Sequence, residues 1–509
     1  MDFATAIEVR HMAPCNPDDV PDTSGGHGTL YKFWVFDFAF LSAFDRALNE
    51  FARLAANKKI NSECQMLLQS MLMLINLLIS IFLEKSTKKN NKNSSKPCSQ
   101  TEKDESSLAN PGTNGKGKQE SNATANNTRT IETISIAKVS QCDVCGQDLR
   151  QTACQHHERR TKIDIVFEKV VEHVDAEIKH CSNCDSTVKG TFPSDMPGPL
   201  QYGNGLKAYV ISLLVCQMIS LNRTQKLIKS LIGHIISEAT LLKFVLRLYL
   251  ALEQWEAASI ERLLKSAAMN VDETSLRVDK KNHWIHVYSA ENITLKFLHP
   301  KRGTEAIEKI NIIPRYKGAI IHDCWSSYLT YDHCDHGLCG SHLVRELTCV
   351  IDSNGYKWAS NMKGLLLETC KKVSKRKMKK LSKREYANLQ KRYRNILTRA
   401  EKELPAIPPK SNGRRGKMAK SDAHNLKERF NDYESAVLLF AKNSDVSFTN
   451  NRAERDLRMS KVKQKVSGCF RTELYAKAYC RISSYLQTMA NRGYNPLIAI
   501  QKALAGEFV

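Results

Sequence analysis

Three acids stand where a fold gains nothing from an acid. Asp272, in Val271-Asp272-Glu273-Thr274, reads as a short turn closing the apolar run Ala267-Ala268-Met269-Asn270-Val271. Asp323 ends Gly318-Ala319-Ile320-Ile321-His322-Asp323, and Glu454 opens the helical stretch Asn450-Asn451-Arg452-Ala453-Glu454-Arg455. An ionised carboxylate beside a core costs several kcal/mol unless a partner or a metal satisfies it. Singly, each is as well read as a surface acid. Together, two strand ends and a helix start supply oxygen ligands for hard divalent cations, Mg2+ or Mn2+, and a pair of such ions supports phosphodiester chemistry. Glu273 is the weaker acidic candidate, because adjacent strand positions face opposite ways.

A second constellation is sulfur. Cys142-x-x-Cys145 and Cys181-x-x-Cys184 offer four thiolates, the donor set and spacing of a structural Zn2+ site, which gives folding free energy to a small domain with little core. Cys154, His156 and His157 are substitute ligands, and Cys334, His336, Cys339 and His342 are a possible second set. In each of these the packed or solvated reading competes with the metal.

The elements that must hold these groups follow from composition and periodicity. The chain has 509 residues, enough for several domains, with Lys+Arg 76 against Asp+Glu 53 and a net charge of +23, which points to a polyanionic partner. Sixteen cysteines without a secretory signal pattern suit a reducing, cytoplasmic setting. Met66 to Leu83 carries no charge and has about the minimum length to span a bilayer. Gln69, Asn76 and Ser80 share one narrow stripe, beside a seam of Leu68, Leu72, Ile75, Ile79 and Phe82, so we read an oligomerising or bundle helix rather than a membrane span.

Seven segments result: an N-terminal helical module (1–83), a polar linker (84–130), a zinc-binding β domain (131–198), a helical region (199–265), an α/β segment (266–350), a basic helical insertion (351–445) and closing helices (446–509). In the helical region, Asn222-Arg223-Thr224 and Ser237-Glu238-Ala239-Thr240 fit either a helix-turn-helix or packed helices. Residues 267–350 predict three strands with short polar turns, a helix over Thr304 to Ile310, a fourth strand ending at Asp323 and a fifth near Gly337-Leu338-Cys339. A meander, a crossover helix and a parallel strand is the order of a ribonuclease H-like core, with first and fourth strands side by side. On the helix beginning near Asn450, Glu454, Arg458, Lys461 and Lys465 share a face, widened by Arg452, Arg455 and Lys463, and Arg414 and Arg415 lie in a Pro/Gly/Arg linker. These cations, with Arg345, are candidates for phosphate contacts.

The motifs also carry a family resemblance. Val271-Asp272-Glu273-Thr274-Ser275-Leu276-Arg277-Val278, His283-Trp284, His299-Pro300-x-Arg302-Gly303, Asp323-Cys324-Trp325-Ser326-Ser327-Tyr328, Leu338-Cys339-x-x-His342-Leu343-x-Arg345-Glu346-Leu347 and Asn450-Asn451-x-Ala453-Glu454-Arg455-x-Leu457-Arg458 resemble the transposases of insertion sequence 66 family elements. The resemblance implies a multidomain α/β DDE transposase: a ribonuclease H-like core with a helical insertion, two divalent ions and a triad on Asp272, Asp323 and Glu454. It also implies double-stranded DNA as substrate, assembly into homo-oligomers on DNA, and accessory proteins from the same element. Ser275-Leu276 and Gly340-Ser341 depart from the family's usual Gly-Trp and bulkier pair, and Met459 to Arg471 is looser than its basic-aromatic run. A DNA-binding protein that has lost catalysis, and a ribonuclease H-like nuclease without strand transfer, are the competing readings.

Overall fold

The structure, a computed structural model, describes residues 53, 62–87, 93, 134–163, 168–407 and 420–508. Most of the expected N-terminal module and linker, part of the expected strand over 162–167, and Arg414 and Arg415 lie outside the described residues. The chain forms two compact units and visits each twice: Gly337–Thr449 with the preceding N-terminal part, and Asn110–His336 with Asn450–Val509.

The first unit begins with α1 (Ser62–Ser86). The stripe that meets the rest of its unit is not the apolar seam: Leu77, Ser80 and Glu84 are the buried residues, flanked by half-buried Leu72, Ile75 and Ile79. Asn354 donates to Ser80 Oγ at 3.2 Å, and the Asp422 and Ala423 amides donate to the Glu84 carboxylate. Leu67, Met71, Leu74, Leu78 and Phe82 face outward. So Ser80 and Glu84 turn inward because they find partners there, Gln69 of the polar stripe is exposed, and Phe82, expected in the seam, is exposed as well. By length and composition this helix passes the test for a membrane span.

The second unit opens with a hairpin, β1 (Ile178–Cys181) and β2 (Ser186–Lys189), in a stretch from 134 to 200 with no buried residue among those described. Four helices follow, α2 (Asn204–Ile211), α3 (Leu221–Ile232), α4 (Glu238–Ala251) and α5 (Glu253–Leu264). Ser237 caps α4 by accepting from the Thr240 amide at 3.2 Å. Ile228, Ile236, Leu241, Phe244 and Leu248 join the core, so the segment weighed as a helix-turn-helix is packed on its own unit.

The sheet comes next: β3 (Ala268–Val278), β4 (Lys281–Ala290), β5 (Ile293–His299), α6 (Thr304–Ile310), β6 (Ala319–His322) and β7 (Asp335–Leu338), in strand order β5-β4-β3-β6-β7. β3, β4 and β5 run antiparallel, whereas β3 and β6 are parallel, so the first and fourth strands are neighbours as expected. One reading is corrected. Val271 to Thr274 is not a turn: β3 continues to Val278 and reverses at Asp279-Lys280, whose φ of 46° and 61° give a two-residue hairpin without glycine.

The first unit then resumes with α7 (Gly340–Asn354), α8 (Lys357–Ser374), α9 (Lys383–Glu403), α10 (Asp422–Asp432) and α11 (Glu434–Lys442). Several of its cations are spent internally: Arg376 and Lys372 pair with Glu385, Arg392 with Glu368, Arg394 with Glu434 and Arg429 with Glu346. The second unit closes with α12 (Asn451–Ser467), α13 (Glu473–Asn491) and α14 (Pro496–Leu504). Helix α13 covers the outer edge of the sheet. Ser484 Oγ and Thr488 Oγ1 accept from the Lys296 and Thr294 amides of β5 at 2.8 and 3.1 Å, satisfying donors that an edge strand leaves open.

Candidate active site

Register decides where the first two acids fall. In the parallel pair, Ala268, Met269 and Asn270 lie opposite Ala319, Ile320 and Ile321. The same offset carried two residues further sets Asp272 level with Asp323, where β6 has ended and the β3–β6 pairing has run out, while β3 itself stays paired with β4. Backbone amides hold the carboxylates in place: Glu273 N–H donates to Asp272 Oδ1 at 2.8 Å and Trp325 N–H to Asp323 Oδ1 at 3.2 Å.

The residue before Asp323 is fixed by a relay of donors. Cys324 N–H donates to His322 Nδ1 (3.1 Å), His322 Nε2–H to His336 Nδ1 (3.1 Å), and His336 Nε2–H to the Tyr331 carbonyl (2.8 Å). This order leaves both rings neutral, and burial pushes His322 down to about 3. His336 and Cys334, weighed as zinc ligands, are engaged here with the Tyr331 carbonyl.

Glu454 reaches the same place through a buried asparagine. Asn450, just ahead of α12, donates from Nδ2 to the Val271 carbonyl at 2.8 Å and accepts at Oδ1 from Asn270 at 2.9 Å. The start of α12 is thereby tied to β3 next to Asp272. A second tie lies two residues beyond Glu454: buried Asp456 accepts from Ser289 (2.7 Å), Thr294 (2.8 Å) and Gln487 (3.0 Å). Burial, with the charges of Glu273, Asp323 and Glu454 added, pushes the Asp272 carboxyl well above the ordinary range. Carboxylates crowded this way repel one another, and a divalent cation among them relieves the repulsion.

Glu273 has a different place. Its carboxylate accepts from Tyr328 Oη at 2.5 Å and from Arg302 Nε at 2.7 Å, with Arg302 Nη2 at 2.5 Å, so this buried acid is spent on partners of its own. Burial raises its pKa, opposed by Tyr328 and Arg302.

The cations of α12 divide into two groups. Arg452 donates to the Ile293 carbonyl (3.1 Å), Lys461 to Ser275 (2.9 Å to O, 3.1 Å to Oγ) and Lys463 to the Leu214 carbonyl (3.3 Å). Burial lowers the pKa of all three. Arg455, Arg458 and Lys465 are exposed. The charge pattern that marked this helix therefore mixes cations that build it into the unit with cations left for a ligand. Arg345 is half-buried on α7 of the other unit.

The sulfur pairs form two copies of one turn. Gly146 N–H donates to the Cys142 carbonyl and Asp185 N–H to the Cys181 carbonyl, both at 2.9 Å, and Gly146 and Asp185 both take left-handed backbone, φ 78° and 57°. Backbone N–H groups of Cys145 and Val144 lower the Cys142 thiol, and the Ser186 hydroxyl lowers Cys184. Each knuckle brings its own two thiols together. Among the described residues, no three of the four sulfurs lie within 4.8 Å of one another.

Asn450 and Arg302 stand inside the motifs that carry the resemblance, where the sequence assigns neither a task. Their partners lie far away along the chain, and the signal available was an asparagine ahead of the acid-bearing helix and an arginine just past β5. A protein-family model described as Transposase IS66 family matches residues 199–478, more than half of the chain. No curated protein matches it.

Proposed function

The chain belongs to the IS66 transposase family, and on that premise we propose that it is a DDE transposase with a ribonuclease H-like core. It cuts DNA at the ends of its own insertion sequence and joins those ends to a target. The observation that carries the proposal is the level placement of Asp272 and Asp323 on neighbouring parallel strands, with Glu454 tied beside them through Asn450.

The donor set fits Mg2+ or Mn2+: three carboxylates, oxygen only, with Asp272 held above its ordinary pKa by burial and by its neighbours' charge. Asp272, Asp323 and Glu454 would hold the ions, which when bound supply charge relief on the phosphodiester and a more acidic attacking hydroxyl or water. The chain's own contribution is placement. Asn450 and Asp456 fix α12, the His322–His336 relay fixes the approach to Asp323, and Arg455, Arg458 and Lys465 take flanking phosphates. Cys142, Cys145, Cys181 and Cys184 would hold a structural Zn2+, with the thiols of Cys142 and Cys184 already drawn toward the thiolate by nearby donors. Double-stranded DNA, further copies of the chain and accessory proteins of the element are the partners, in the cytoplasm.

The test is nicking of a duplex carrying the element's own end, in Mg2+ or Mn2+, by wild type beside Asp272→Asn and Glu454→Gln. Cleavage that leaves a 3′-hydroxyl and vanishes in both variants is the expected result. A wild type that binds the end but never cuts it, even with the accessory proteins added, would reduce the chain to a DNA-binding descendant of a transposase.

A further inference from the structure

Arg302 is left without a task in that chemistry, yet it is among the most constrained cations of its unit. Its guanidinium spends Nε and Nη2 on the Glu273 carboxylate. Its Cζ lies over the ring of Trp325, 4.3 Å from the centroid, and over that of Trp284 at 5.0 Å. Three neighbours therefore fix it: an anion at one edge and two indole faces beneath its Cζ. The side chain is nonetheless 39% exposed, and Nη1 takes no protein partner among the described residues.

A counter-ion serving only the buried Glu273 would not need that open edge. Nor is its position arbitrary. Glu273 follows Asp272 directly in β3, and the backbone N–H of Trp325 bonds to the Asp323 carboxylate, so Arg302 is anchored to residues touching both acids. A DNA strand brought to three carboxylates is repelled by them until cations intervene, and an arginine with one edge already held loses little freedom on gripping a phosphate. Among the described residues the exposed cations of α12 have no such bracing, which makes Arg302 the better positioned of the two kinds.

We propose that Arg302 is a pre-set phosphate clamp: its free Nη1 edge binds a non-bridging oxygen of one phosphate beside the scissile one, on the strand that crosses the acids. The inference rests on the DNA-cleaving reading and adds to it a positioning residue with a defined ligand. Trp284 and Trp325 hold the guanidinium over their rings, and Glu273 takes up its Nε and Nη2 edge.

The experiment is equilibrium binding of end DNA without divalent metal, followed by fluorescence anisotropy, using duplexes with a single neutral methylphosphonate at each position around the cleavage site. One position should weaken wild-type binding by about tenfold, the scale of a charge-assisted hydrogen bond. That same position should have no effect on Glu273→Gln/Arg302→Gln, which removes the pair's charges together and so leaves no lone buried charge. Penalties that are the same in wild type and double variant at every position would overturn the clamp while leaving the transposase reading intact. Failure of wild type to bind the end at all would overturn both.

Discussion

The carboxylate site and the sulfur knuckles lie in one unit and are held by opposite means. Around Asp272 the walls are buried: Met269, Val271, Ile285, Val287 and Ile320 are each at most 1% exposed, and Asn450 is likewise sealed in. From 134 to 200 no described residue is buried. A core that pays for crowded acids can present them ready-made to a cation, whereas thiols on two matching turns, two exposed and two half-buried, would be drawn together only by a metal they bound. On the zinc reading proposed above, the fold makes the site in the first region and the site would make the fold in the second.

Metal removal should separate the two regions most sharply. Loss of Zn2+ by chelation, or by Cys181→Ser, is expected to remove on the order of 10 kcal/mol from the knuckle segment. In hydrogen exchange, amides of 134–200 should lose protection while those of β3 to β6 keep theirs. Equal loss in both would mean that the knuckles are packed on the sheet rather than self-supporting.

Neutralising an acid should do the reverse. Asp272→Asn is expected to lower metal-dependent nicking by about a thousandfold, with thermal stability unchanged or raised, because a repulsion has been removed. A variant that loses activity only by unfolding would break the claim that the acids cost stability.

Asn450→Ala tests the packing side of the contrast. It strips a buried donor and acceptor from Val271 and Asn270, so about 2–3 kcal/mol of stability should go, read as a shift in urea midpoint. Nicking should fall with it, through looser placement of Glu454.

The smallest effect is set by pH. His286 and His322 are lowered by burial to about 4 and about 3, so each is neutral in the fold and gains a proton on unfolding below pH 6.5. Their stabilising share is complete above that pH and falls as acid is added, by about 2 kcal/mol each at pH 5. His322→Gln should flatten the acid side of the stability curve.

Much of this site was legible in the sequence because it depends on local pattern. Apolar runs of strand length and a helix over Thr304 to Ile310 are enough to set the strand order and the parallel pairing of β3 with β6. Less legible was where β3 stops, since Asp279 and Lys280 adopt left-handed backbone that glycine would have advertised. Partner identity was least legible. Nothing in the spacing of α12 says that Lys461 answers to Ser275 while Arg458 is exposed, or that Ser80 and Glu84 of α1 turn inward. Those assignments are made by residues hundreds of positions away.

The departure at Gly340 has its own reason. A side chain there would run into the ring of Phe448, whose carbonyl accepts from the Gly340 amide at 2.7 Å and whose ring packs on Phe440 with centroids 4.8 Å apart. Neither position can then change alone: enlarging 340 first meets a clash, and shrinking 448 first takes away the ring that Gly340 packs on. The two residues form an epistatic lock, in which a side chain at 340 is admissible only together with a smaller residue at 448.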